Sequence, residues 1–170
     1  MLIRPFAPTD IPAAAAVLRR AAETFVLHDC RPEDAAVFLA AHDAAGLRRN
    51  LDAGFVYHAA TVDGVLAGFI GVRGGTHVYH LFVDAPYHRR GIARALWLAA
   101  RAAALAGGRG AGHAGIFTVN ASNVSVPFYE SLGFERTAPM QVSTVRYNPM
   151  RLVADPSTSG AAGTDLVGAA

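Results

Sequence analysis

FVDAPYHRRGIARALW, residues 82–97, runs from an apolar pair through a proline-marked loop into an alanine- and leucine-rich stretch. It reads as the end of a strand, a short connection and the first turns of a helix. Arg89, Arg90 and Arg94 stand where that helix begins. A helix N-terminus already carries partial positive charge, so cations there cost stability unless an anion lies among them. Gly91 and Ala93 let the backbone approach an anion closely, and the free N–H groups of residues 89–94 would converge on it. A diphosphate suits this arrangement. The competing reading is a surface helix with stray arginines.

Working outward, the chain opens with a short strand, Leu2 to Phe6. A helix follows, capped by Thr9 or Asp10, with Pro12 in its first turn, and it continues to about Val26. "HDCRP" breaks the pattern before a second helix from about Pro32 to His42 or beyond. The period then changes. "FVYHAATV" and "VLAGFIGVR" form a hairpin turned at Asp63-Gly64, and "THVYHLFV" continues the sheet. The long helix after Gly91 leads through a glycine-rich loop to the strand "GIFTV" and the helix "NVSVPFYESL", where Gly133 fits the C-terminal cap. Two last strands lie near Phe134 to Ala138 and Thr144 to Val153. The expected class is α/β (α+β): a central mixed, mostly antiparallel sheet of about seven strands, flanked by about four helices. Its one strand–helix–strand crossover should be right-handed and parallel. Residues 1–153 form one domain in this reading, and the small, polar stretch 154–170 is a disordered tail.

Composition narrows the function. A net charge of +2 does not argue for nucleic acid. All 15 basic residues are arginine, so no lysine serves as base or Schiff-base former. The single cysteine, Cys30, suits a reducing compartment. "MLIRPFAPTD" lacks a signal-peptide layout, and no apolar run is long enough for a membrane. The expectation is a cytoplasmic protein with no membrane partner. The seven histidines show no metal-ligand spacing with supporting carboxylates, so no metal is expected.

His88-Arg89-Arg90-Gly91-Ile92-Ala93 resembles motif A of the GNAT (Gcn5-related N-acetyltransferase) superfamily, Gln/Arg-x-x-Gly-x-Gly/Ala after a strand. His88 departs at the first position, mildly, because the motif works mainly through backbone amides. "VNASNVSVPFYESLGF", residues 119–134, is similar to the family's motif B. The resemblance covers residues 2 to about 152 in element order. It implies the GNAT fold, with the fourth and fifth strands splayed and acyl-CoA in the gap. Mapped here, the backbone near Phe82 and Val83 would hold the pantetheine and thioester carbonyl and donate to the oxyanion. Residues His88, Arg89, Arg90, Gly91, Ile92, Ala93 and Arg94 would hold the pyrophosphate, and Asn123 would contact the pantetheine or a nearby CoA group.

The implied reaction is acetyl transfer from acetyl-CoA to a primary amine, on a small molecule or a peptide, in a ternary complex. Tyr129 occupies the family's position for the acid that protonates the leaving thiolate; core packing beside Phe128 is its other reading. On the fourth strand, alternation puts His77, Tyr79 and Leu81 on one face and Val78, His80 and Phe82 on the other. His77 is the expected base, whereas a bulge would shift the parity and favour His80. His28, Asp29, Glu33 and Asp34 could receive a cationic amine, or merely cap a polar joint between helices. Small residues such as Gly68 and Gly71 could enlarge an acyl pocket. Two signals are set aside. "GAGHAG", residues 110–115, follows a helix and precedes a strand, the reverse of a dinucleotide site. "HDC", residues 28–30, offers sequence neighbours that rarely converge into a triad. Two other functions stay open: a non-catalytic acyl-CoA-binding module, and an acyltransferase with a longer donor or a hydroxyl acceptor. A homodimer is also open.

Overall fold

The computed structural model describes residues 1–28, 30–107 and 113–154. In chain order the elements are β1 (Leu2–Pro5), α1 (Ile11–Phe25), α2 (Pro32–Ala41), α3 (Ala44–Asp52), β2 (Val56–Val62), β3 (Val65–Arg73), β4 (His77–Val83), α4 (Ile92–Gly107), β5 (Ile116–Ala121), α5 (Val126–Glu130), β6 (Glu135–Arg136), β7 (Gln141–Val142) and β8 (Arg146–Val153). The sheet order is β1-β2-β3-β4-β5-β8-β6, with β7 paired to the first residues of β8. Of these pairings only β4–β5 is parallel. The sheet is therefore mixed and mostly antiparallel, as expected.

Two elements exceed the expectation. The second helix stops at Ala41, and Asp43 accepts a hydrogen bond from the Gly46 amide at 2.8 Å to start α3. A Cβ at Gly46 would collide with the Ala41 carbonyl, so the two helices approach at a glycine. The additional strand, β7, is a two-residue return onto Arg146 and Tyr147. At the C-terminal edge, Ala154 is buried and its amide donates to the Gly115 carbonyl at 2.7 Å. The rest of the expected tail, residues 155–170, lies outside the described residues, as does the first half of the "GAGHAG" connector, residues 110–112.

Helices cover both faces of the sheet. Ile92, Leu96 and Trp97 of α4 pack with Phe117, Tyr129 and Phe134 over one face. Val17, Leu18 and Leu47, from α1 and α3, pack with Tyr57 and Phe69 over the other. Among the described residues no helix is long and apolar enough to cross a membrane.

The β3–β4 pairing slips between Gly71↔His80 and Val72↔Val78, leaving Tyr79 as the extra residue of a β-bulge. Below the bulge Val78 joins the α4 face; above it Leu81 and Val83 do, while His80 and Phe82 meet Phe69 on the α1 face. The simple alternation of the strand is thus broken at Tyr79. Gly71 and Gly68 serve close packing and do not line the cavity described below. A Cβ on Gly71 would overlap the Tyr57 ring, and one on Gly68 would come within 2.7 Å of the Phe82 carbonyl.

Four histidines, His42, His58, His77 and His80, are held below the usual imidazole pKa, in each case chiefly by burial. A lowered folded pKa means the unfolded chain takes up protons first as pH falls. The stability these groups contribute is present above about pH 6.5 and is lost as pH drops below it. Thermal melts should therefore show Tm falling already between about pH 6.5 and 5. That is above the range in which Asp10 and Asp84, depressed by their arginine partners, would begin to protonate. His80→Gln should flatten this upper part of the curve; an unchanged slope would remove His80 from it.

Candidate functional site

β4 and β5 are paired only at His77↔Thr118 and Val78↔Val119, after which they part. β5 remains paired to β8 along its length, and β4 to β3, so the gap between them is not closed by another strand. A cavity of about 720 Å³ occupies it, touching β4 residues of both faces. Its walls come from the end of α1, α2, β4, the start of α4, β5 and α5.

The backbone phase of β4 follows from one bond. The Asp84 amide donates to the Ala67 carbonyl at 2.9 Å, so Phe82 and Asp84 direct their amides toward β3. Leu81 and Val83 then direct theirs into the gap. Of the backbone expected near Phe82 and Val83 to meet the ligand, Val83 and its neighbour Leu81 turn their amides to the gap, while Phe82 contributes its side chain to the cavity wall.

At the mouth, a single 3-10 turn, Ala85–Tyr87, leads to α4. Arg89 has φ +62° and Gly91 φ +76°. A non-glycine residue in the left-handed region stores strain, which is typical of functional loops. Left-handed residues before a helix fold successive amides into an anion-binding concavity. A Cβ on Gly91 would meet nothing within 4 Å and would enter the cavity that Gly91 lines. His88, Arg89, Gly91, Ile92, Ala93 and Arg94 all line this end. Arg90 does not; its guanidinium lies 5.5 Å over the Tyr87 ring. The His88 ring donates to the Val83 carbonyl at 2.7 Å and braces the loop against the strand. Arg20 of α1 ties the same corner through Asp84 at 2.7 Å.

Tyr129 lies in α5, whose start is set by Pro127. It is 5% exposed and lines the cavity, with Phe128 and Phe134 each 5.3 Å away, edge-on. Its hydroxyl has no hydrogen-bond partner among the described residues. Burial pushes the phenol far above its usual pKa, so it remains a proton donor at neutral pH. Asn123 does not line the cavity. Its Oδ1 accepts from Asn148 Nδ2 at 2.9 Å, while Asn148 also donates to the Ala121 carbonyl and accepts from Arg136. Asn123 thereby fastens the end of β5.

His77 also stays out of the cavity: its Nδ1 pairs with Thr118 Oγ1 at 2.8 Å, at the closed end of the gap. The bulge brings His80 to the wall instead. His80 Nδ1 meets the Tyr57 hydroxyl at 2.9 Å, and its buried Nε2 has no partner among the described residues. The Tyr57 hydroxyl, pushed up to about 12 by burial, stays protonated. His42, beyond the end of α2, stands 5.2 Å from His80 between ring centres. Its Nδ1 is 2.8 Å from the Phe38 carbonyl, which can only accept. The neutral ring therefore carries its proton on Nδ1 and a lone pair on Nε2. Burial keeps both rings neutral. No sequence signal pointed to His42, because its partner is 38 residues further along the chain. His28, Glu33 and Asp34 do not line the cavity, and Asp29 lies outside the described residues.

The family model described as an acetyltransferase (GNAT) domain matches residues 26–154. No curated relative matches the chain. Among solved structures, a GCN5-related N-acetyltransferase from Rhodopseudomonas palustris is similar at 28% identity and a TM-score of 0.73, over 88% of this chain and 93% of that one. The PaiA N-acetyltransferase from Thermoplasma acidophilum, solved with coenzyme A, is similar at 16% identity and a TM-score of 0.73, over 88% and 96%. The ribosomal-protein-S18-alanine N-acetyltransferase from Escherichia coli is similar at 20% identity and a TM-score of 0.62, over 98% of each chain. The latter two likenesses bear on the fold alone.

Proposed function

We propose, from the premise that the chain belongs to the GNAT acetyltransferase family, that it moves an acetyl group from acetyl-CoA to a primary amine by direct attack. The observation that carries this is a single cavity joining the open β4–β5 gap to the left-handed loop at the start of α4. The amides of residues 89–94, with Arg89 and Arg94, would take the pyrophosphate. The amides of Leu81 and Val83 would pair with the pantetheine arm, and one of them would donate to the carbonyl oxygen as it becomes an oxyanion.

The amine attacks the thioester carbon, a C–N bond forms, and the C–S bond breaks. The departing thiolate takes the Tyr129 proton. The proton shed by the amine passes to the His80–His42 pair, where His42 Nε2 has the fixed lone pair. Neutral rings in a site screened from water suit that role. His80 replaces His77 as the expected base because His77 is not at the cavity wall.

Thermal shift with CoA tests the reading. At about 100 times its dissociation constant, CoA should stabilise the fold by roughly 2.7 kcal/mol. No shift at millimolar CoA would overturn it. His80→Gln should keep the shift and lose turnover in an acetyl-CoA thiol-release assay; full turnover would take the base role away from His80.

A further inference from the structure

Under α1 and α2 the cavity is walled by Phe25, Val26, Phe38, His42, Tyr79 and Val145. Three of these rings form a stack. Phe38 and His42 lie 4.1 Å apart at 22°, and His42 and Tyr79 lie 5.8 Å apart at 24°. Phe38 is only half-buried although it faces inward, and α2 contributes no fully buried residue. The stack therefore presents apolar ring surface to the cavity, which a bound apolar group would remove from water.

Charge points the same way. Among the described residues that line the cavity there is no Asp or Glu, and the charged side chains are Arg89, Arg94 and Arg146. The nearby Asp84 is already paired with Arg20. A second ammonium group on an acceptor would have to shed water against apolar walls, with the like charges of Arg89 and Arg94 beyond and, among the described lining residues, no carboxylate to receive it. One amine alone can enter by losing its proton, and in doing so it becomes the nucleophile.

We propose that the acceptor is a primary amine carried on an aromatic or bulky apolar group with no second cationic centre, and that the Phe38–His42–Tyr79 stack receives that group. This rests on the acetyl-transfer reading above.

The test is a thiol-release panel with acetyl-CoA and four acceptors: 2-phenylethylamine, putrescine, an aminoglycoside and a short peptide with an N-terminal alanine. The expected kcat/KM for 2-phenylethylamine exceeds that for putrescine by about 100-fold, the scale set by burying one aromatic group. Phe38→Ala should narrow that ratio by about tenfold, through KM. Asp29→Asn should leave the order of acceptors unchanged. Preference for putrescine, the aminoglycoside or the peptide overturns the proposal and leaves acetyl transfer standing. So does a reversal of the order in Asp29→Asn. No turnover of any amine, with the CoA thermal shift intact, overturns the catalytic reading and the proposal together.

Discussion

Gly91→Glu is expected to weaken CoA binding by about 100-fold or more while leaving the fold intact. Two effects combine. Gly91 sits at φ +76°, where any L side chain is strained by roughly 1–2 kcal/mol. A glutamate there also places a negative charge in the concavity proposed for the pyrophosphate. Two unit charges about 4 Å apart at an effective dielectric near 20 repel by roughly 4 kcal/mol. The fold should survive because nothing lies within 4 Å of the new Cβ, and the Gly91 carbonyl can still accept from the Ala95 amide. Gly91→Ala separates the two effects. It carries the strain without the charge and should weaken CoA by only about tenfold. Titration calorimetry or CoA-dependent melting reads both. A folded glutamate variant that binds CoA within about a factor of three of wild type would move the phosphate site elsewhere.

Tyr129→Phe should lower kcat by about 100-fold with little change in CoA affinity, the low end of what general acid catalysis supplies. The ring contacts with Phe128 and Phe134 are kept, and only the hydroxyl is lost. That hydroxyl has no partner among the described residues, so its removal strands no other described group and should leave stability close to wild type. The effect sits at the low end because a thiolate, with a conjugate pKa of about 8.5, already leaves tolerably well. Steady-state kinetics of the folded variant checks this. A kcat within about threefold of wild type between about pH 6 and 9 would return Tyr129 to a packing role.

Much of this site was legible along the chain because its parts are local. A strand, a short loop and a helix N-terminus are contiguous, so "FVDAPYHRRGIA" pointed to the turn proposed to bind the pyrophosphate without knowledge of the rest. Gly91 could be singled out because a turn into a helix demands backbone freedom at one position. Tyr129 stood out through its neighbours in "FYESLGF", again within a few residues. The order of strands and helices followed from the change of apolar period between Asp52 and Phe55 and from the Asp63-Gly64 turn. These are properties of neighbouring residues, and neighbouring residues are what a sequence displays.

What the tertiary structure alone decided concerns pairs far apart. The strand Thr76–Val83 alternates acceptably in either parity, so nothing in it marks Tyr79 as the bulged residue. That choice is made across the sheet, where Gly71 closes against the Tyr57 ring and the pairing slips. It carries His80 to the cavity and leaves His77 bonded to Thr118. Its motif makes Asn123 an expected CoA contact, but its Oδ1 accepts from Asn148, 25 residues later in the chain. His42 reaches His80 only because α2 ends at Ala41 and Asp43 starts a new helix. The chain displays donors, acceptors and turns residue by residue; which of them meet depends on register and packing, which exist only once the sheet has closed.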